Sequence, residues 1–564
     1  MVSTFLPSRL APPLAFAMLG SALFSPACAQ VAPGVADQQL QRQQQREEAR
    51  RKLEADAQPD VRLQAPPSAP GTYPEREAPC FVIRDVTLDG DAADGFRWAL
   101  DAARPGLGRC LGSTGINVMV GAIQNALIAK GYVTTRVLAA AQDLQGGTLR
   151  LTLVPGRIRA IRFAEPGQDG HYASALPARP GELLNLRAIE QGLENFKRVP
   201  GADADIQVVP GEQPGDSDLV IKWQGGRAWR LSMSLDDSGS HSTGTYQGGA
   251  TLSVDNPTGL HDLFYVTLNH HVPGDSPGGN YGTGGSALHY SVPYGWWLLT
   301  LQFNDYRYHQ TVAGANQDYL YSGTSTNTEV KLARLVYRDA VRKTTLSVRA
   351  WQRRSRNFID DTEVEVQRRR MGGFTFGVAH KEFIGSATVD ASLAWKMGTS
   401  AFGTLPAPEE PYGEGTSRPR VLSGDVNANW PLTQALTYQL AWRGQWNRTP
   451  LVPQDRFSIG GRYTVRGYDG EASLIAERGW LLRNDLVWTV PGTQQQLYAA
   501  LDHGVVAGPS APALLGTRLT GAAVGWRGQL KGLQVDVFAG KPVHKPAAFR
   551  TAAVATGFTL NYEY

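Results

Sequence analysis

After Gly226 the chain settles into a hydropathy period of two and keeps it to its last residue, and no other feature restricts the possible folds so strongly. Trp229, Leu231, Met233 and Leu235 alternate with Arg230, Ser232, Ser234 and Asp236. Much later Leu436, Tyr438, Leu440 and Trp442 alternate with Thr437, Gln439, Ala441 and Arg443. Such alternation places apolar side chains on one face of a strand and polar ones on the other. A soluble sandwich or propeller would show it locally, so a single repeat decides little. Beyond residues 1–29 the sequence has no run of 18 apolar residues, and only helices and closed barrels satisfy their backbone in lipid, so a place in a membrane would require a barrel. At about 21 residues per strand and connection, the stretch 226–564 holds about 16 strands, an even number as expected for such barrels. Charged residues are 19% of the chain against a usual ~25%, and 62 glycines with 9% aromatics suit β-structure of this kind. A net charge of +4 with no sustained basic stripe gives no support to nucleic-acid binding.

Residues 1–29 carry Arg9, an apolar run from Leu10 to Phe24, and Ala27-Cys28-Ala29 before Gln30, the form of a secretory signal peptide. Cys28 could suggest a lipoprotein, but Ser25 stands where leucine would be wanted. Removing the signal leaves Cys80 and Cys110. In an exported protein this pair most simply forms one disulfide, with two free thiols or a catalytic thiol as the alternatives. No zinc or C-x-x-C spacing accompanies them.

Residues 30–57 contain DQQLQRQQQREEARRKLEAD, made of strong helix formers with Asp37 placed to cap a helix Asp37–Asp56. A helix polar all round needs a hydrated environment. In the stretch 58–79, Pro59, Pro66, Pro67, Pro70, Pro74 and Pro79 predict an extended tether. From Cys80 to residue 158 the pattern is compact α+β: strand Phe81–Leu88, helices around Phe96–Ala103 and Asn117–Lys130, strands Thr134–Ala140 and Thr148–Leu153. Val120, Ile123, Leu127 and Ile128 are expected on the core face of the second helix. A similar unit occupies 159–225, with the helix LRAIEQGLENFKRVPG and a last strand Asp218–Trp223.

One long stretch interrupts the strands. From Phe457 to Leu486 it reads FSIGGRYTVRGYDGEASLIAERGWLLRNDL, with Gly460-Gly461 and a second glycine-rich bend around Val465-Arg466-Gly467-Tyr468. Loops of this length that are not disordered are usually functional. VRGY within GGRYTVRGYDGE, followed by AERGW and RNDL, resembles the sixth-loop motif of two-partner secretion transporters, near the haemolysin and contact-dependent-inhibition branch. LIAKGYVTTRV, LRLTLVPGRI and the second helix resemble the POTRA domains of the same family. The resemblance implies a mainly β fold: a transmembrane barrel preceded by two POTRA domains and an N-terminal plug helix in the lumen. It implies export of one large unfolded exoprotein, recognised through its N-terminal transport domain, from periplasm to cell surface without ATP. It further implies an outer-membrane monomer in contact with lipid, with POTRA domains in the periplasm that offer an exposed edge to substrate. Periplasmic chaperones and the barrel-assembly machinery would act during biogenesis. The run Phe558, Leu560, Tyr562, Tyr564 fits the closing strand that this machinery reads.

The family's tetrad arginine, here Arg466, meets the aspartate of an F-x-D-x-G motif. Ala500-Leu501-Asp502-His503-Gly504 is the candidate, with Asp502 and Gly504 matching and Ala500 in place of the aromatic, Tyr498 standing two residues earlier. Asp469 or Glu477 could serve instead, since an arginine in a partly dehydrated lumen needs an acidic neighbour. No enzyme, metal or cofactor signature is found. Gly282-Thr283-Gly284-Gly285-Ser286-Ala287 fits a dinucleotide fingerprint by letters only and is read as a connection. His270 and His271 are expected on opposite strand faces. Two rival readings are an assembly factor of the same superfamily, which inserts other barrels, and a passive porin.

Overall fold

The computed structural model describes residues 35–56, 60–63, 71–165, 172–273 and 280–564. The signal-like stretch 1–29 and Pro59, Pro66, Pro67 and Pro70 lie outside them. Helix α1, Val35–Asp56, begins two residues before the expected cap, so Asp37 sits in its first turn and not at its end.

In the first α+β unit, β1 (Asp85–Asp89), β2 (Arg136–Leu138) and β3 (Thr148–Val154) form a sheet with β3 central, parallel to β1 and antiparallel to β2. The single strand expected over Phe81–Leu88 is broken. Phe81–Val82 pairs with Cys110–Leu111, and Arg84 and Asp85 then both donate to the Gly147 carbonyl, where the chain steps into the main sheet. The first helix is a 3-10 helix over Ala93–Gly106 with Pro105 inside it. Helix α2, Ser113–Ala129, buries Met119, Ile123 and Leu127 at i, i+4 spacing against Phe96, Leu149 and Leu151. The core face therefore runs through Met119, while Val120 and Ile128 stand at its margin.

Cys80 and Cys110 are disulfide-bonded, Cα to Cα 5.2 Å, beside the Phe81–Leu111 pair. Thiol titration of the unreduced protein should find no free thiol at either position, and finding two would overturn the bond. Replacing both by serine should destabilise this unit by about 3 to 4 kcal/mol in the chain-entropy picture.

Helix α2 is capped from outside. The Glu77 carboxylate accepts from Gly112 N (2.6 Å), Thr114 N and Gly115 N (both 2.9 Å), satisfying the orphan donors of the first turn. Burial raises its pKa, but these backbone hydrogen bonds outweigh it and hold the carboxyl below its ordinary 4.5. A lowered folded-state pKa contributes stability that is present above pH 4.5 and is lost as pH falls through the lowered value. Acid melting of this unit should thus show a component that Glu77→Gln removes. Identical melting profiles would mean the cap contributes nothing.

The second unit repeats the plan. β4 (Arg157–Phe163) lies parallel to the central β6 (Asp216–Gln224), with β5 (Asp203–Pro210) antiparallel on the other side. Helix α3, Leu186–Phe196, is N-capped by Asn185, whose side chain accepts from Arg187 N, and it buries Ile189, Leu193 and Phe196 against Leu219 and Ile221.

The period-two region closes on itself. Among the described residues sixteen antiparallel strands form one barrel. They are β7 (Trp229–Asp236), β8 (Gln247–Asp255), β9 (Leu263–His271), β10 (Gly282–Tyr294), β11 (Trp297–Ala313), β12 (Asp318–Arg338), β13 (Arg342–Ile359) and β14 (Arg369–Ile384), then β15 (Ala387–Thr399), β16 (Arg420–Pro431), β17 (Leu436–Asn447), β18 (Arg478–Thr489), β19 (Gln496–Ala507), β20 (Arg518–Leu530), β21 (Leu533–His544) and β22 (Ala555–Glu563). β22 returns to β7, Thr559 opposite Asp236 through Glu563 opposite Ser232. Closure leaves no unpaired edge, which lipid would not tolerate. Met233, Leu268, Leu332, Leu501 and Val524 are exposed on the outer face. Trp430, Trp488, Trp526 and Tyr562 at one rim and Trp446 and Trp480 at the other form aromatic girdles. Gly282–Ala287 belongs to strand β10, which corrects its reading as a connection. The rings of His270 and His271 stack 4.6 Å apart at the end of β9, so the two side chains do not point to opposite faces as expected. Among the described residues no group of three or more His, Cys, Asp or Glu could hold a metal, and no helix could cross a membrane.

The tether of 58–79 is not a free spacer where it is described. Val61 N and Leu63 N donate to Glu194 and Glu190 of α3 (2.9 and 2.7 Å), while Arg338 Nη2 donates to Val61 O. Asp60 meets Lys343 and Lys381 at the barrel rim (2.5 and 2.6 Å). Proline extends this segment, but its backbone groups are taken up by the second unit and the barrel.

Candidate functional site

The connection between β17 and β18 folds back into the barrel. Phe457–Ile459 and Leu474–Ala476 pair as a small hairpin, and Ile459, Val465, Tyr468 and Leu474 pack with Leu481, Val506 and Leu519 of the wall and with Phe549 of the β21–β22 connection. This apolar seat fixes the loop laterally. It brings Val465 to full burial and presents Arg466 to strands β18 and β19.

Lumen-facing positions recur every second residue, and Arg483 opposes Asp502 in the β18–β19 register. Arg466 donates from Nε to Asp502 Oδ2 (2.7 Å), from Nη2 to Asp502 Oδ1 (2.8 Å), and from its backbone N to Asp502 Oδ2 (3.0 Å). Asp502 is fully buried and Arg466 is 3% exposed, so solvent screening of the pair is slight. Arg466 Nη2 also reaches Asp485 on β18, a partner that sequence reasoning missed. The signal was present in RNDL, because Asp485 stands two residues after Arg483 on one strand face. Asp469 and Glu477 are engaged elsewhere: Asp469 accepts from Ala552 N, and Glu477 from Ser510.

Glycines let the backbone approach the wall. Gly467 has φ +93°, and a Cβ there would lie 2.4 Å from Lys541 O. At Gly504 a Cβ would meet Val465 and Ile459 at 2.9 and 3.0 Å, which explains the glycine of the motif. Gly521, which sequence reasoning did not single out, would place a Cβ 1.8 Å from Arg466 O. The Tyr468 hydroxyl lies within hydrogen-bond distance of Thr520 O and His544 O (2.9 and 2.7 Å), and its ring packs edge-on against Phe549 at 5.8 Å. Tyr498 is buried and its ring centroid is 5.9 Å from the Arg466 guanidinium. The ring beneath the arginine thus comes from Tyr498, two residues before Ala500.

Further anchors hold the loop at its root. Asp455 accepts from Arg353 on β13 (2.9 Å) and Lys396 on β15 (2.8 Å), two nearby strands of the same side of the barrel, and Arg462 pairs with Asp237. Helix α1 lies beside the loop in the lumen. Gln41 donates to Pro453 O (2.8 Å), Arg42 to Gly470 O (2.5 Å), Gln45 to Ser458 (2.7 Å) and Arg46 to Asp236 (2.9 Å). On other sides Gln39 meets Ser240, Glu47 accepts from Gln302, and Glu48 pairs with Arg443. A helix polar all round is thereby matched to a polar interior.

The family described as haemolysin secretion/activation protein ShlB/FhaC/HecB matches residues 215–528, which carry both this loop and its aspartate. The chain belongs to this family. A ShlB-type POTRA domain matches residues 81–156 and a further POTRA domain matches 157–210. Outer membrane transporter CdiB-2 of Burkholderia pseudomallei is 36% identical over 561 residues, covering 95% of each chain. Hemolysin transporter protein ShlB of Serratia marcescens is 27% identical over 432 residues, 75% of each chain. The structure of CdiB from Acinetobacter baumannii superposes with a TM-score of 0.82 at 28% identity, covering 94% of this chain and 99% of that one. The protein is an outer-membrane transporter of two-partner secretion, a sixteen-strand barrel whose POTRA domains lie in the periplasm.

Proposed function

We propose that this transporter carries one large unfolded exoprotein, a haemolysin, adhesin or inhibition toxin, through the barrel lumen, after capturing its N-terminal transport domain at the POTRA domains. The reading rests on one observation above others. Two pieces lie in the lumen, α1 and the β17–β18 loop, and the described side chains of α1 are seated by hydrogen bonds and partly exposed ion pairs. Polar seating in a wet channel exchanges for water at small net cost, so the plug can leave without unfolding the barrel. The chain performs no covalent chemistry and uses no nucleotide; the Arg466–Asp502 pair positions a loop. It works as a monomer in contact with lipid, and chaperones and assembly machinery act only in its biogenesis.

The test is deletion of this chain from its native strain. The exoprotein should then accumulate in the periplasm or be degraded there, while other outer-membrane barrels keep their levels. A general fall in those barrels would favour the assembly-factor reading, and unchanged export would sink both.

A further inference from the structure

At the POTRA-side rim of the barrel, between its outer face and α3, lies a cavity of about 580 Å³. Three separate modules supply its cations: Lys130 from the end of α2, Arg187 from the first turn of α3, and Arg334 from β12. Arg338, also in the wall, is consumed by Glu190 and Glu194. Arg187 shares Glu190 with it, and its own Nε is buried with no hydrogen-bond partner. Arg334 is exposed and has no carboxylate in ion-pair reach among the described residues; its guanidinium lies 5.0 Å over the Trp297 ring. Lys130 likewise rests on Trp98, 3.9 Å from the ring centroid. The one carboxylate in the lining is Glu182. Like charges drawn from three modules into one cavity repel unless an anion sits among them.

The remaining wall identifies the anion. Trp296, Leu335, Val336 and Tyr337 line the same cavity, and Val336 and Tyr337 are 46% and 50% exposed. Along β12 the outward Leu332 and Val330 continue this apolar surface toward the middle of the membrane. A free phosphate has no use for such a surface, whereas a phospholipid places its phosphate among the cations and its acyl chains along these side chains.

We propose that this cavity binds the headgroup of an anionic phospholipid from the periplasmic leaflet, so that one lipid phosphate joins both POTRA domains to the barrel. This assignment is independent of which exoprotein is carried.

The experiment uses the full chain purified in mild detergent, with dioleoyl phosphatidylglycerol as probe and native mass spectrometry as readout. The wild type should retain one lipid. Arg334→Gln and Lys130→Gln, both at exposed positions, should each weaken retention about tenfold, the loss expected for one charged hydrogen bond. Arg478→Gln, exposed at the far rim, should not, and heat-modifiability should confirm a folded barrel in every variant. Equal retention in Arg334→Gln and Arg478→Gln would overturn the proposal. So would displacement of the lipid by millimolar inorganic phosphate, which would make the site one for free anions.

Discussion

Asp502→Ala is expected to abolish secretion while leaving an assembled, heat-modifiable barrel in the outer membrane. Asp502 accepts three hydrogen bonds from Arg466, two from the guanidinium and one from the backbone. Removing the carboxylate strands a buried cation with Asp485 as its one remaining acidic contact. Breaking a buried pair from one side costs about 3 to 5 kcal/mol, and a loss of that size displaces the loop tip from its seat in most molecules. Arg466→Ala should match it. Arg466→Lys should also be impaired, because an ammonium cannot reproduce the planar fork. Asp485→Ala should be milder, since Asp485 takes only one nitrogen of the guanidinium and leaves the Asp502 bonds in place. Secreted exoprotein, measured against barrel level, checks the order. Normal secretion by Asp502→Ala alongside loss in Arg466→Ala would sink the pairing and make Asp485 the working partner.

Deleting residues 35–56 should raise the ion conductance of the transporter in planar bilayers severalfold while the barrel and POTRA domains stay folded. The helix is about 33 Å long at 1.5 Å per residue, enough to run through a bilayer core of about 30 Å. It occupies the space between the loop and the walls at β7, β11 and β17. Arg46→Glu should give part of the effect by opposing Asp236, and high salt should weaken the seating of the wild type, because the Arg42–Glu471 and Arg443–Glu48 pairs of the helix are partly exposed. Unchanged conductance after deletion would mean that the loop alone closes the channel.

Much of the architecture was legible in the sequence because it depends on local period. Alternation at Trp229–Asp236 and Leu436–Arg443 determined which faces meet lipid, and the strand count followed from length. Local breaks were harder. The step at Arg84–Asp85 depends on a carbonyl at Gly147, more than 60 residues away, and the stripe through Met119 depends on what α2 packs against. The tether shows the same limit: proline composition conveyed extension, but not that Asp60, Val61 and Leu63 would be bound between α3 and the rim.

The site divides in the same way. The sequence by itself determined the kinds of group required: a glycine-bracketed arginine in a long loop, and a carboxylate to neutralise it in a lumen with little water. Which carboxylates do so was decided only by the tertiary structure, because barrel closure and the β18–β19 register bring Asp485 and Asp502 side by side beneath a loop tip. The same holds for Tyr498, Gly521 and Phe549. Their parts in the site arise from the distance between backbones, a quantity that no residue carries alone and that exists only once sixteen strands have closed around the loop.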